Sequence, residues 1–471
     1  MKIPEDPVLL DPADAGHFDF LSRIQGNILK GHGRHHGCAL FFRLREPGSR
    51  PKAFWGQVRD LVTSAASQDR EAALHKTLQK SQPLEFGRGM HRNFALSAAG
   101  MQALGVADTP AVAISGRTPD EDLYPAFNHG MRASFRGASP KAAAEIADWQ
   151  SEYNGADLHG VWLLACSDSG TLKTEAARLK GWLKRWEISV VVEEPTTTWR
   201  HRGRPREAFG FVDGISMPEF FRCRRKLGGP WMSMPLRRVF IPPEINPRHS
   251  GGSFLVVRKL EQNVKAFREH EKKLQAQLEA SGRGYWMAGP LLMGRKRDGK
   301  PLVRLKSLPG VKPLNGFDFD DDQVAQGCPF HAHIRKMNPR MDQAPPGDPE
   351  AKVGQALRDI QIVRRGMLYD PEGRLRQGKR RSSGWPEKKV GLLFMAFMAD
   401  PGRQFEVLHL HWGPDQNFPV TGSGGMDPIL AQDPQQWAWR QLSKEIPRFV
   451  TPLGGEYFYA PALDWLNSLA E

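Results

Sequence analysis

The chain has 471 residues, 40% hydrophobic and 25% charged, which is the balance of a globular protein of about two to four domains. Its 66 Lys and Arg outnumber 52 Asp and Glu for a net charge of +14. No helix-turn-helix, zinc-finger or RNA-binding signature accompanies that charge, so it reads as solubility or attraction for small anions rather than nucleic-acid binding. Four cysteines (Cys38, Cys166, Cys223, Cys328) stand far apart with no CxxC pair, which argues against a zinc ribbon and a disulfide framework.

Residues 1–20 read as an irregular arm. Its start, MKIPEDPVLLDPADAG, has neither an apolar core nor twin arginines, so the expectation is no export signal and a cytoplasmic location. No run of about 18 apolar residues occurs, so no membrane span is expected. Ile24–Arg34 is rich in Gly, His and cations and leads into an apolar strand, Cys38–Leu44. Helical spacing follows over Pro51–Ser64 (Phe54, Trp55, Val58, Leu61, Val62), then a short strand at Asn93–Leu96. Residues 105–157 are mixed. GVWLLAC at Gly160–Cys166 reads as a buried strand, Thr171–Trp186 as an amphipathic helix and Ser189–Val192 as a β-branched strand.

The second half repeats the alternation. A strand at Phe254–Leu260 precedes a charged helix at Asn263–Leu278. Strands at Ile360–Val363 and Lys389–Met398 precede a helix at Arg403–Trp412. The C-terminal stretch Phe449–Trp465 returns aromatic residues to the core. The order suggests two similar α+β units. Residues 225–250, 283–312 and Gly366–Lys389, with local basic runs at Arg222–Lys226 and Lys379–Arg381, read as connections or insertions.

Three stretches could carry chemistry. Cys328–Arg340, CPFHAHIRKMNPR, sets His331 and His333 among Arg335, Lys336 and Arg340, behind an acidic tetrad (Asp318, Asp320, Asp321, Asp322). Pro329 and Pro339 bracket it, which favours a loop or short turn. Histidine is the usual protein ligand of a transition metal or haem iron; a solvated basic loop is the bland alternative. FGFVDGISMPE, Phe209–Glu219, holds Asp213 between glycines that permit tight turns and close backbone approach; it is either a proton carrier or an Asx-turn residue. IVRRGMLY, Ile362–Tyr369, ends an apolar strand in two arginines, suited to a developing oxyanion or simply to the surface.

Together these stretches resemble the dye-decolorizing peroxidases, which are haem enzymes. GFVDG matches the family's GxxDG motif and HIRKMNPR its proximal motif; RRG matches its distal arginine segment. IQGNILKGHGR, GLLFMAF and GGEYFYAP extend the resemblance over about residues 20–468. It implies an α+β fold of two ferredoxin-like domains with antiparallel sheets, of the dimeric α+β barrel type. The first is placed at 1–205 with the N-terminal arm. The second, at 206–471, would carry the basic insertions and the haem b. It further implies His333 as axial iron ligand and Asp427, in GGMDP, as the carboxylate on the other ring nitrogen. Asp213 and Arg364 would act on hydrogen peroxide, with Arg365 as the fallback for the arginine. Arg335 and Arg340 would meet the propionates, and Leu392 and Phe394 would line the distal pocket. Expected partners are peroxide and organic electron donors, without nucleic acid or membrane, in a possible homo-oligomer that works best in acid. Met217 departs from the pattern, since glutamine is common there. The alternatives are a non-enzymatic haem-binding protein, a metalloenzyme using His331 and His333, and a nucleic-acid binder resting on charge alone.

Overall fold

A computed structural model of the chain describes residues 1–4, 9–81, 89–110, 124–155, 157–222, 231–232, 234–305, 314–343, 353–377, 384–421, 425–430, 435–439 and 442–471. Apart from Arg222, the two basic runs lie outside the described residues. The first four strands are β1 (His36–Leu44), β2 (His91–Leu96), β3 (Gly160–Cys166) and β4 (Ile188–Thr197). β3 is buried along its whole length, as a continuous apolar run with both faces covered must be. β1 pairs antiparallel with β3 and β4, and β2 with β3, giving the sheet β2-β3-β1-β4. Helix Ser169–Arg185 packs Leu172, Ala176, Leu179, Trp182 and Leu183 inward and is capped by Asp168, which accepts from the Thr171 amide.

A small hairpin, β5 (Trp199–His201) and β6 (Arg204–Arg206), leads to the second unit: β7 (Ser253–Gln262), β8 (Val363–Arg364), β9 (Met367–Tyr369) and β10 (Gly391–Met398). After the hairpin β11 (Gln435–Trp439) and β12 (Leu442–Ile446) comes β13 (Val450–Ala460). β8 and β9 are two pieces of one edge strand, because both pair with β10 in a single register, from Val363↔Phe397 to Tyr369↔Gly391. β7 pairs with β10 and β13, so the second sheet runs β13-β7-β10-β9, the same order as the first. The two sheets meet at Tyr459↔Leu96 and Thr197↔Leu368 and close into one barrel.

The sequence expectations hold for most strands to within a few residues. The N-terminal arm is corrected: Ala15–Arg23 is a helix, because Asp14 accepts from the His17 amide as an N-cap and Phe20 and Leu21 are buried. Helices Ala65–Ser81 and Pro125–Ala138 also went unread; the second is broken at Gly130, whose φ of 73° interrupts the helical period. Pro401–Trp412 forms a wide, π-type helix. No helix among the described residues is long and apolar enough to cross a membrane.

Gly391 starts β10 where a side chain has no room: a Cβ there would sit 1.9 Å from the Leu260 carbonyl oxygen and 2.9 Å from the Tyr369 hydroxyl. Gly391→Ala is therefore expected to part β10 from β7 and lower stability by roughly 1–3 kcal/mol, read from the midpoint of urea unfolding. An unchanged midpoint would show that the strand pair shifts without cost.

Candidate active site

His333 opens a five-residue helix, His333–Met337, and lines a cavity between this helix, the strands β7, β8 and β10, and helix Pro401–Trp412. Its Nδ1 lies 2.8 Å from Asp427 Oδ2. A carboxylate oxygen only accepts, so the bond places the ring proton on Nδ1 and leaves Nε2 as the nitrogen for a metal. Asp427 is fully buried and fixed on its other side. Its Oδ1 accepts from the Ile429 and Leu430 amides at 2.7 and 3.0 Å, and its own amide donates to Gly413 O at 2.9 Å.

The cations around His333 separate by direction. Arg335 does not line the cavity. It is buried, donates to the Asp322 carboxylate and to the carbonyls of Asp322 and Cys328, and stacks between Phe319 and Phe330. Its expected contact with a propionate is thus corrected: two residues on from the histidine, it leaves the helix about 200° round the axis. Arg340 does line the cavity, with its terminal nitrogens on Asn315 O, Phe317 O and Asn315 Oδ1. Burial, then the Arg295 charge, presses its pKa down to about 9. His331 is buried away from this cavity, against the backbone of Gly425. Burial and the charges of Lys336 and Arg335 keep its pKa well below the usual range.

On the other side stand Arg364, Leu392 and Phe394. They line both this cavity and a wider opening beside it, which Asp213 also lines. Leu392 and Phe394 alternate on β10 and share one face. Arg364 Nη1 lies 3.9 Å from Asp213 Oδ1, which accepts from the Gly214 amide at 2.7 Å. Arg365 points elsewhere: its guanidinium donates to the carbonyls of Asn27, Ile28 and Arg364, tying the IQGNILKG segment to the edge strand. Met217 accepts from Arg365 Nη1 at 3.5 Å and lines only the outer opening.

Two groups of residues escaped the sequence reading. Half-buried Glu207 accepts from the Phe209 and Phe211 amides, each at 2.8 Å, and from Gln262. With Gly210 and Gly214 at φ of 93° and 73°, it shapes the turn that presents Asp213. Burial raises its pKa against the pull of those amides. Arg258, on β7, and His409 line the cavity and meet Glu145 from behind. Their partners lie 113 and 264 residues away, beyond any local pattern.

A profile of the DyP dimeric alpha+beta barrel domain matches residues 23–198. The multifunctional dye peroxidase DyP2 of Amycolatopsis sp. is 33% identical over 480 residues, covering 95% of this chain and 96% of the relative. The chain belongs to the dye-decolorizing peroxidase family. The dye-decolorizing peroxidase AauDyP1 of Auricularia auricula-judae is 26% identical, covering 93% of this chain and 85% of its own. Among solved structures, a DyP-type peroxidase of Anabaena sp. superposes with a TM-score of 0.79 at 28% identity, over 99% of this chain and 98% of that one. The protein is thus a DyP-type peroxidase of an α+β fold, and haem dependence goes with the family.

The cavity of this DyP-type peroxidase fits a haem in chemistry. Its walls are mainly apolar (Ile334, Leu392, Phe394, Phe405, Leu408), and the lining His333 has its Nδ1 engaged by Asp427. Arg258 Nε, Gln262 Oε1 and Gln361 Oε1 belong to lining residues and are buried without a hydrogen-bond partner, where nearly all such atoms are paired. Among the described residues no group of three His, Cys, Asp or Glu could hold a separate metal ion.

Glu145 supplies a pH test. Burial pushes its carboxyl up, but the Arg258 and His409 charges and hydrogen bonds outweigh it and hold the pKa at about 2 against an ordinary 4.5. A depressed folded pKa stabilises above 4.5, and that stability is lost as pH falls towards about 2. Melting temperature should decline over this window in the wild type and less steeply in Glu145→Gln. Parallel profiles would show that Glu145 is not the linked group.

Proposed function

We propose that the protein is a haem b peroxidase that reduces hydrogen peroxide and oxidises bulky organic donors such as dyes and phenolics by one-electron steps. The observation that carries this reading is one cavity flanked by two prepared pairs, His333–Asp427 at 2.8 Å and Arg364–Asp213 at 3.9 Å. A protein that merely stores haem needs no carboxylate–guanidinium pair beside the cofactor. The two units 1–205 and 206–471 would share the barrel, the second holding the haem.

Haem, when bound, supplies the redox centre that takes two oxidising equivalents from peroxide and passes them to donors. His333 Nε2 would hold the iron, and Asp427, by drawing on the Nδ1 proton, would make the imidazole a stronger donor. Asp213 would accept a proton from one peroxide oxygen and return it to the other, so that water leaves. Its Oδ1 accepts from the Gly214 amide, and Oδ2 would be the less engaged oxygen for the transfer. Arg364 would place a permanent positive charge where the departing oxygen gains electron density. Leu392 and Phe394 would keep bulk water from this space, and Arg340, the one of the expected pair that lines the cavity, would meet a propionate.

His333→Ala should abolish haem retention, seen as loss of the Soret band after desalting. Asp213→Asn and Arg364→Leu should retain haem yet slow the peroxide reaction by about 10²–10⁴-fold in stopped flow. Full peroxide reactivity in both would remove the distal assignment. Donor turnover is expected to peak in acid; a maximum above neutral pH would count against Asp213 as the proton carrier.

A further inference from the structure

Lys336 is a fully buried ammonium group on the same short helix as His333. Three residues on, it leaves the helix about 60° from the histidine. Its Nζ donates to the carbonyls of Asp415, Phe418 and Gly425, the last two at 2.6 and 2.9 Å. An ammonium has three N–H donors, so all of them are used, and all on one segment. Its described parts, 413–421 and 425–427, are joined by the Asp427 amide on Gly413 O. Burying a lysine charge is costly unless the site needs it; burial presses its pKa down to about 8 against the attraction of Asp427 and Asp415.

We propose that Lys336 is a positioning residue for the proximal pair. By fixing the 413–427 segment from the helix that carries His333, it holds the Asp427 carboxylate at the distance from which it polarises the imidazole, and so sets how strongly the ligand donates to iron. The inference rests on His333 being the axial ligand. Arg335 provides an internal control: it is equally buried on the same helix, but its bonds among the described residues go to Asp322 and Cys328.

The test uses the haem-loaded protein and reads the iron–histidine stretching frequency of the ferrous form and the ferric–ferrous potential. Asp427→Asn, which weakens the hydrogen bond, should lower the frequency and raise the potential. Lys336→Met should shift both in the same direction by at least half as much. The double variant should match Asp427→Asn alone, because a residue acting through Asp427 has nothing left to act on. Arg335→Met should lower the melting temperature and leave both readouts at wild-type values. Should Lys336→Met not fold, Lys336→Gln, which keeps an amide donor, should give a smaller shift of the same sign. Wild-type values in the lysine variants, or shifts that add to those of Asp427→Asn, would overturn the proposal while leaving the axial assignment intact. If Asp427→Asn itself changes neither readout, the proximal reading falls and this proposal falls with it.

Discussion

The hydrogen bond between His333 Nδ1 and Asp427 Oδ2 is the constraint on which the site depends, and it joins residues 94 apart in sequence. A buried carboxylate persists as a charge only when its oxygens are filled by donors. Asp427 meets that condition with two amides on one oxygen and the imidazole on the other. Directionality follows: the amides fix the plane of the carboxylate, the carboxylate fixes the ring proton, and the remaining ring nitrogen is left as a lone-pair donor. Loss of any one of these bonds would leave a buried polar group with one partner fewer.

The same logic explains much of the excess of lysine and arginine. Arg365, Arg340, Lys336, Arg295 and Arg206 each donate to at least two backbone carbonyls of loops that carry no regular structure of their own. A loop inside a globular domain leaves carbonyls without partners, and a guanidinium or ammonium can satisfy several at once. Irregular connections in this chain are stapled by buried and half-buried cations, so the net charge of +14 reports partly on internal architecture and not only on the partners the surface attracts.

That distinction marks how far the sequence could be read. The alternation of strands and helices was visible because apolar runs or apolar spacing survive in most elements, as in GVWLLAC at Gly160–Cys166 and GLLFMAFM at Gly391–Met398. The three motif-bearing stretches were visible because residue type and order recur together. The direction in which a cation leaves a short helix was not visible: Arg335 and Arg340 look equivalent in HIRKMNPR, yet only Arg340 reaches the cavity. Nor were partners that meet from distant segments, such as Glu145 with Arg258, since no local period connects them. The helix Ala15–Arg23 depended on its cap at Asp14, a signal weaker than the prolines and acidic residues around it.

The two sheets have one strand order but differ in what covers them, and the difference accounts for the cavity. In the first unit, helix Ser169–Arg185 follows β3 and packs leucine, alanine and tryptophan directly onto a strand that is buried throughout. In the second, helix Pro401–Trp412 follows β10 at the equivalent place. There Leu392 and Phe394 are only half-buried, and they face the cavity together with Phe405, Leu408 and His409 of the helix. The second helix meets its sheet through Phe405, whose ring lies 6.1 Å from those of Phe394 and Tyr457, and the cavity opens beside that contact. A gap between two apolar faces collapses unless something holds it open or fills it. Here the rigid parts are the Arg258–Glu145–His409 cluster at one edge, Arg340 at another and the His333–Asp427 pair on the wall, each a buried polar group whose own bonds resist displacement. Polar groups fixed from behind and apolar groups lining the front would suit a flat, largely apolar group such as the haem proposed for this cavity.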